Sequence, residues 1–172
     1  MNRLWVVNAS PLILLAKIGQ IHLLEELPVD LVVPKGVVQE INQGAELDNA
    51  KRWLAQRGTV WVTEVGSIDP RVAAFKLGLG ETQVISYALT HPDYLAIVDD
   101  RAARNCALTL RVPVRGTLGV LLLAKRMGKI SQIQSRMSQR RFAGSLNQSV
   151  YCLLKMRVSS DFASSDLHTS QR

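Results

Sequence analysis

Residues 94–110 read YLAIVDDRAARNCALTL. The stretch begins as a short, unbroken apolar run, as a strand buried on both faces requires. Two acids follow, Asp99 and Asp100, and then an alanine-containing helical pattern that runs to about Leu110. Strand, polar break and helix make up the front half of a parallel crossover unit. The two aspartates therefore fall at the carboxyl end of a buried strand.

The same unit recurs on either side. Leu4 to Val7 is a second buried run, followed by Asn8-Ala9-Ser10-Pro11. Ser10 is the expected N-cap there and Pro11 the first helical residue, with the helix running to about Ile18 and stopping at Gly19. A short helix over residues 22–27 precedes a strand at residues 31–33, closed by Pro34. Helices are expected over residues 36–42 and 47–56, and the alternation in residues 59–65 predicts a strand. Residues 71–77 read as helix, Gly78-Leu79-Gly80 as a hinge, and residues 81–89 as helix. A last short strand over residues 112–114 leads through Gly116 into a helix ending at Met127. Alternating strands and helices, with continuously apolar strands, predict an α/β fold whose central, mainly parallel sheet is covered on both faces.

Beyond Ser131 the pattern weakens. Residues 138–141 read as a basic loop and residues 148–156 as a final helix. The polar, serine-rich end reads as a disordered tail. One domain over residues 1–157 and a tail over residues 158–172 are expected, which suits a chain of 172 residues.

The chain carries a net charge of +7, and its distribution is uneven. From Arg101 to Arg157 there are twelve Lys or Arg and no Asp or Glu, while nearly every acid lies at or before Asp100. A basic half beside an acidic half suits a polyanion laid across carboxylates; a solvated basic face is the alternative. The longest apolar stretch, residues 11–24, is interrupted by Lys17, Gln20 and His22 and is too short to span a membrane. No signal-peptide layout opens the chain. Cys106 and Cys152 sit far apart in apolar runs and read as reduced core thiols, which fits a cytoplasmic protein.

Ligands of open α/β sheets bind beyond the carboxyl ends of the strands. If the strands before Asn8 and Asp99 are neighbours, Asn8, Asp99 and Asp100 meet at one edge. Capping of the next helix is an equally good role for each of them. Glu81 is more telling, because Val84, Ile85 and Ala88 lie three, four and seven residues beyond it and form a buried stripe. A carboxylate within that stripe needs a partner such as a metal ion or an arginine. The competing role is a first-turn acid at the positive end of the helix. Glu40 borders the stripe of Val37, Val38 and Ile41, where a solvated acid is the simpler reading. Remote carboxylates that converge repel one another unless a cation neutralises them. Oxygen donors without a His or Cys cluster select Mg²⁺ or Mn²⁺ over Zn²⁺. His22, His91 and His168 have no metal spacing. The dinucleotide loop, the P-loop and the Gly-x-Ser-x-Gly elbow are all missing.

The blocks VVNASPLILLAKIG, VVPKGVVQEI, LGLGETQVISYAL, LAIVDDRAAR and VPVRGTLGVLLLAKRMGKI occur in that order. Together they resemble the PIN-domain proteins, in particular a prokaryotic branch akin to VapC-type toxins, over residues 4–133. The resemblance implies a three-layer α/β/α fold, an acidic pocket for Mg²⁺ or Mn²⁺, and endoribonuclease activity. It also implies an antitoxin protein that blocks the site, and a homodimer. The family's acids fall on Asn8, Glu40, Glu81 and the Asp99-Asp100 pair, with Asp100 favoured. Its small hydroxyl residue falls on Ser10, and Thr117 lies in a segment near the same edge. Glu40, Glu81 and Asp100 are then the metal ligands, with Asp99 a ligand or a support behind one. Arg101, Arg104 and Arg115 are the expected contacts to the RNA strand. Asn8 departs from the pattern, since many PIN proteins carry Asp there. A catalytically impaired protein that binds RNA or a partner without cutting is the alternative this leaves open. A structural pairing protein and, less favoured, a small-molecule phosphatase are the remaining rivals.

Overall fold

The protein is described by a computed structural model over residues 4–44 and 49–130. Strand β1 (Leu4–Val7) lies at the centre of a five-stranded sheet of order β3-β2-β1-β4-β5. β1 runs parallel to β2 (Asp30–Pro34) on one side and to β4 (Tyr94–Ile97) on the other. The edge strands β3 (Val62–Thr63) and β5 (Val114–Arg115) are parallel as well, so every pairing in the sheet is parallel. Val6 sits opposite both Val32 and Ala96, and Val7 opposite Ile97. Trp5, Val6 and Val7 are completely buried, the reason their run shows no polar alternation.

Eight helices flank the sheet among the described residues, giving the three-layer α/β/α arrangement. They are α1 (Ala9–Lys17), α2 (Leu23–Glu26), α3 (Lys35–Gln43), α4 (Asn49–Gln56), α5 (Pro70–Ala73), α6 (Leu79–Thr90), α7 (Arg101–Thr109) and α8 (Thr117–Arg126). α1 packs against α3, α4 and α8, and α6 against α3, α5 and α7. Leu12 and Leu15 of α1, Ile41 of α3 and Ile85 of α6 are buried in one core with the central strands. No helix among the described residues is long and apolar enough to cross a membrane.

The expected elements form, with five corrections. Residues 59–65 are not a strand throughout: a 3₁₀ turn over Gly58–Trp61 comes first and only Val62–Thr63 pair. Trp61 stacks on Trp53 with ring centroids 5.6 Å apart, and Gly58 is tucked so close that a Cβ would lie 2.8 Å from the Trp53 ring. The indole stack bends the chain before it reaches the sheet. Ser10 is not the N-cap of α1. Asn8 takes that position in extended backbone, and Pro11 falls within the first turn, where its missing N–H costs nothing. Gly78-Leu79-Gly80 is not a hinge but the start of α6, with Gly78 as N-cap. The last strand is also displaced, to Val114–Arg115, and the helix expected over residues 71–77 is a single turn, Pro70–Ala73, that ends before Lys76 takes a positive φ of 53°. Cys106 is a buried free thiol, as expected. Cys152, the basic loop, the final helix and the tail lie outside the described residues.

Leu15 has no exposed surface, so Leu15→Ala should lower unfolding free energy by about 2–5 kcal/mol. Val29 is 72% exposed, and Val29→Ala should change it by less than about 0.5 kcal/mol. Urea unfolding of the two variants beside the parent checks both.

Candidate active site

A chain that winds β1, β2, β3 to one side and then returns to place β4 against β1 reverses its direction of winding between those two strands. That reversal opens a crevice at their carboxyl ends, the usual ligand position in such sheets. Asn8 follows β1 directly and its N–H donates to the Ile97 carbonyl at 3.0 Å. Asp99 and Asp100 follow β4. The pairing of β1 with β4 thus puts Asn8 and the two aspartates at the same sheet edge.

Glu40 and Glu81 arrive from two helices locked to each other. The Gly36 N–H, at the start of α3, donates to Gln83 Oε1 of α6 at 2.7 Å. Leu79 presses on the same glycine: a Cβ there would lie 2.8 Å from Leu79 Cγ. With α3 fixed on α6 in this way, Glu40 reaches the first turn of α6. Its Oε1 accepts the Gly80 N–H at 2.8 Å. Glu81 Oε2 accepts the N–H of Gly78 at 3.0 Å, the back-reaching half of a capping box whose other half a glycine cannot supply. Both carboxylates are half-buried. Glu40 Oε1 and Glu81 Oε2 each lie 3.3 Å from the point a Gly78 Cβ would occupy.

The aspartates are held in the same manner. Asp99 accepts the Thr117 N–H at 2.8 Å and the Thr117 hydroxyl at 2.5 Å. Thr117 opens α8 and is buried, so the sequence expectation that its segment nears this edge is met by a direct bond. Asp100 caps α7 by accepting the Ala103 N–H at 2.9 Å. Each of the four acids therefore accepts an N–H from the first turn or N-cap of a helix, where the helix dipole favours negative charge.

Asn8 is the exception. It is 1% exposed, and its side-chain oxygen accepts no hydrogen bond from any of the described residues. A buried amide oxygen without a donor is costly and calls for an explanation, an ion or water among them. That oxygen and Glu40 Oε2 lie within 3.0 Å of one point, the place a Gly80 Cβ would take. Ser10 is exposed in the first turn of α1.

Among the described residues, no three His, Cys, Asp or Glu side chains stand close enough together to hold a metal ion by themselves. Their charges still meet. Burial pushes the Glu81 carboxyl above the usual carboxylate range; the Gly78 N–H opposes this, and the negative charges of Asp100 and Glu40 add to the rise. The donors at this edge are hard oxygens, one of them buried and unused, so the set suits Mg²⁺ or Mn²⁺ in chemistry. A cation drawing Asp100 toward the glutamates would also relieve their repulsion.

Arginines border the edge. Arg104 Nη1 donates to the Val98 carbonyl at 3.4 Å. A Cβ on Gly116 would lie 3.0 Å from that nitrogen and 2.9 Å from Asp99 Oδ1, so both side chains close on the same glycine. Arg115 ends β5 with its stem laid over Gly119, and Arg101 opens α7 exposed to solvent. Sequence reasoning had missed the link from Gly36 to Gln83 and the role of Gly78 and Gly80. A glycine three residues before Glu81 at a helix start was the available signal.

Glu81 keeps its proton to higher pH when folded than at its ordinary value of 4.5. The stability it contributes is full below that value and is lost as pH rises through the folded one. In metal-free buffer, Glu81→Gln should match the parent at about pH 4, exceed it as pH rises, and keep a constant lead once pH is above the folded value. Urea midpoints in EDTA at several pH values check this, and a gap that does not move with pH contradicts it.

No curated protein and no solved structure matches the chain. A family model for the PIN domain matches residues 4–149, which takes in both strands that frame the crevice and all four acids. The chain belongs to the PIN-domain family.

Proposed function

We propose that this protein is a metal-dependent endoribonuclease, the toxin component of a toxin–antitoxin pair akin to the VapC type. Membership of the PIN family supports nuclease chemistry on a phosphodiester at the coarse level. One observation carries the finer reading. The crevice between β1 and β4 holds a buried, unpartnered Asn8 oxygen beside Glu40, with Glu81 and Asp100 near enough that their charges are felt.

In this reading Glu40, Glu81 and Asp100 hold Mg²⁺ or Mn²⁺, and the Asn8 oxygen completes the set without adding charge. The bound ion supplies Lewis acidity toward a phosphodiester and its attacking water. Thr117 holds Asp99 by two bonds, and Asp99 serves as a ligand or steadies the Asp100 loop from behind. Ser10 offers a hydroxyl from the exposed first turn of α1. Arg101, Arg104 and Arg115 bind the RNA backbone, which their position at the same edge favours. The partners are RNA, an antitoxin protein that covers the crevice and a second copy of the chain, in the cytoplasm.

A second reading rests on the hydrogen bonds themselves. Every acid already accepts a helix N–H, and Asn8 contributes no charge, so a protein that binds RNA or a partner without cutting would keep the same geometry. Cleavage assays separate the two. With Mg²⁺ or Mn²⁺ present, the parent should cut RNA and Glu81→Ala should not. An Asn8→Asp variant that cuts much faster would identify the natural site as impaired; a parent that shifts RNA but never cuts it supports the binding reading.

Two further outcomes follow from the supporting groups. Thr117→Val removes the hydroxyl bond to Asp99 and should lower the cleavage rate by about 10–100-fold. Replacing Arg101, Arg104 and Arg115 together by alanine should weaken RNA binding whatever the sequence. The slope of log affinity against log salt should drop by about 2, as three lost phosphate contacts on a single strand imply.

A further inference from the structure

We infer that Gly80 is a positioning residue of the crevice: its bare Cα keeps open the space that Glu40 and Asn8 share, while its N–H fixes the angle at which Glu40 enters. The inference rests on the metal reading of this edge and names a residue on which that reading depends.

Gly80 is the second residue of α6, in ordinary helical backbone and not among the glycines with positive φ. Nothing in its conformation requires glycine there. Glycine within a helix is less favourable than alanine, so its presence calls for a spatial reason. That reason is visible. A Cβ at this position would lie 2.6 Å from Glu40 Oε2, 2.9 Å from Glu40 Cδ and 3.0 Å from Asn8 Oδ1. Real Cβ atoms do not approach as closely as the two Glu40 distances, so the Glu40 carboxylate would have to move, while Asn8 would have to give by a few tenths of an ångström.

Neither moves freely. The other Glu40 oxygen is bound to the Gly80 N–H, so swinging the carboxylate aside breaks that bond. Asn8 is buried at the junction of β1 and α1, with its backbone N–H bound to Ile97. Its unpartnered side-chain oxygen points to the same small volume, and this independent feature marks the volume as a place for a ligand. A methyl group would fill the volume and turn Glu40 away from Asn8. Helix propensity alone would predict the opposite sign, a better helix and no change at the crevice.

The test is Mn²⁺ titration by calorimetry on the full chain, with circular dichroism as the check on folding. The parent should bind Mn²⁺. Gly80→Ala should keep the parent's spectrum and bind Mn²⁺ about 10–100-fold more weakly. Equal affinity in Gly80→Ala would overturn the role of Gly80 and leave the metal reading standing. A parent that takes up no Mn²⁺ would overturn the metal reading, and the role of Gly80 with it. Should Gly80→Ala fail to fold, the comparison moves to Glu40→Ala with and without Gly80→Ala. Folding of the double variant as well as Glu40→Ala itself supports the inference, because the group that the methyl strikes has been removed. A double variant that still fails to fold locates the clash elsewhere and refutes it.

Discussion

The parallel alignment of β1 and β4 is the constraint from which the rest of the molecule follows. Parallel strands must be joined by crossovers, and each crossover helix that leaves the carboxyl edge presents its N-terminus there. α1 begins after Asn8, α7 after Asp100 and α8 at Thr117, all on the edge that the β1–β4 pair defines. α6 joins them through its grip on α3. The acids of the crevice accept N–H bonds from these helix starts, and the geometry of the sheet puts those donors where they are.

This arrangement answers the electrostatic problem posed by several carboxylates in one crevice. Unfilled helix N–H groups carry partial positive charge, and each carboxylate that accepts one is stabilised and anchored. The compensation is incomplete. Glu81 remains above the ordinary carboxylate range, because burial and its acidic neighbours outweigh the Gly78 bond. An amide at position 8 limits the problem: it supplies an oxygen to the most buried point of the edge without a further negative charge.

Much of this was legible in the residues. Continuous apolar runs at Leu4–Val7 and Tyr94–Val98 marked buried strands, and polar residues directly after them marked the crevice. Glu81 stood out because it interrupts a buried stripe, whereas Glu40 borders its own stripe and gave little sign of the distant helix it caps. Features set by contacts between remote segments were not legible. The β3 region alternates like a strand, yet the stacking of Trp61 on Trp53 bends it into a 3₁₀ turn. Gly78 and Gly80 looked like flexible punctuation; in the folded chain they are where acids from two helices come close. Ser10 matched the pattern of a cap, but the helix follows directly on β1, with Asn8 as its N-cap and Ala9 as its first residue.

The strand order has a consequence for the protein while it is being made. A ribosome delivers the chain from its amino end, so Asn8 and Glu40 emerge long before Glu81, Asp99 and Asp100. Central strand β1 then has β2 on one flank and nothing on the other until residues 94–97 arrive. Any chemistry that needs all four acids waits until residue 100 has emerged. Until then the nascent chain carries β1 with one flank open, the flank along which the crevice later forms.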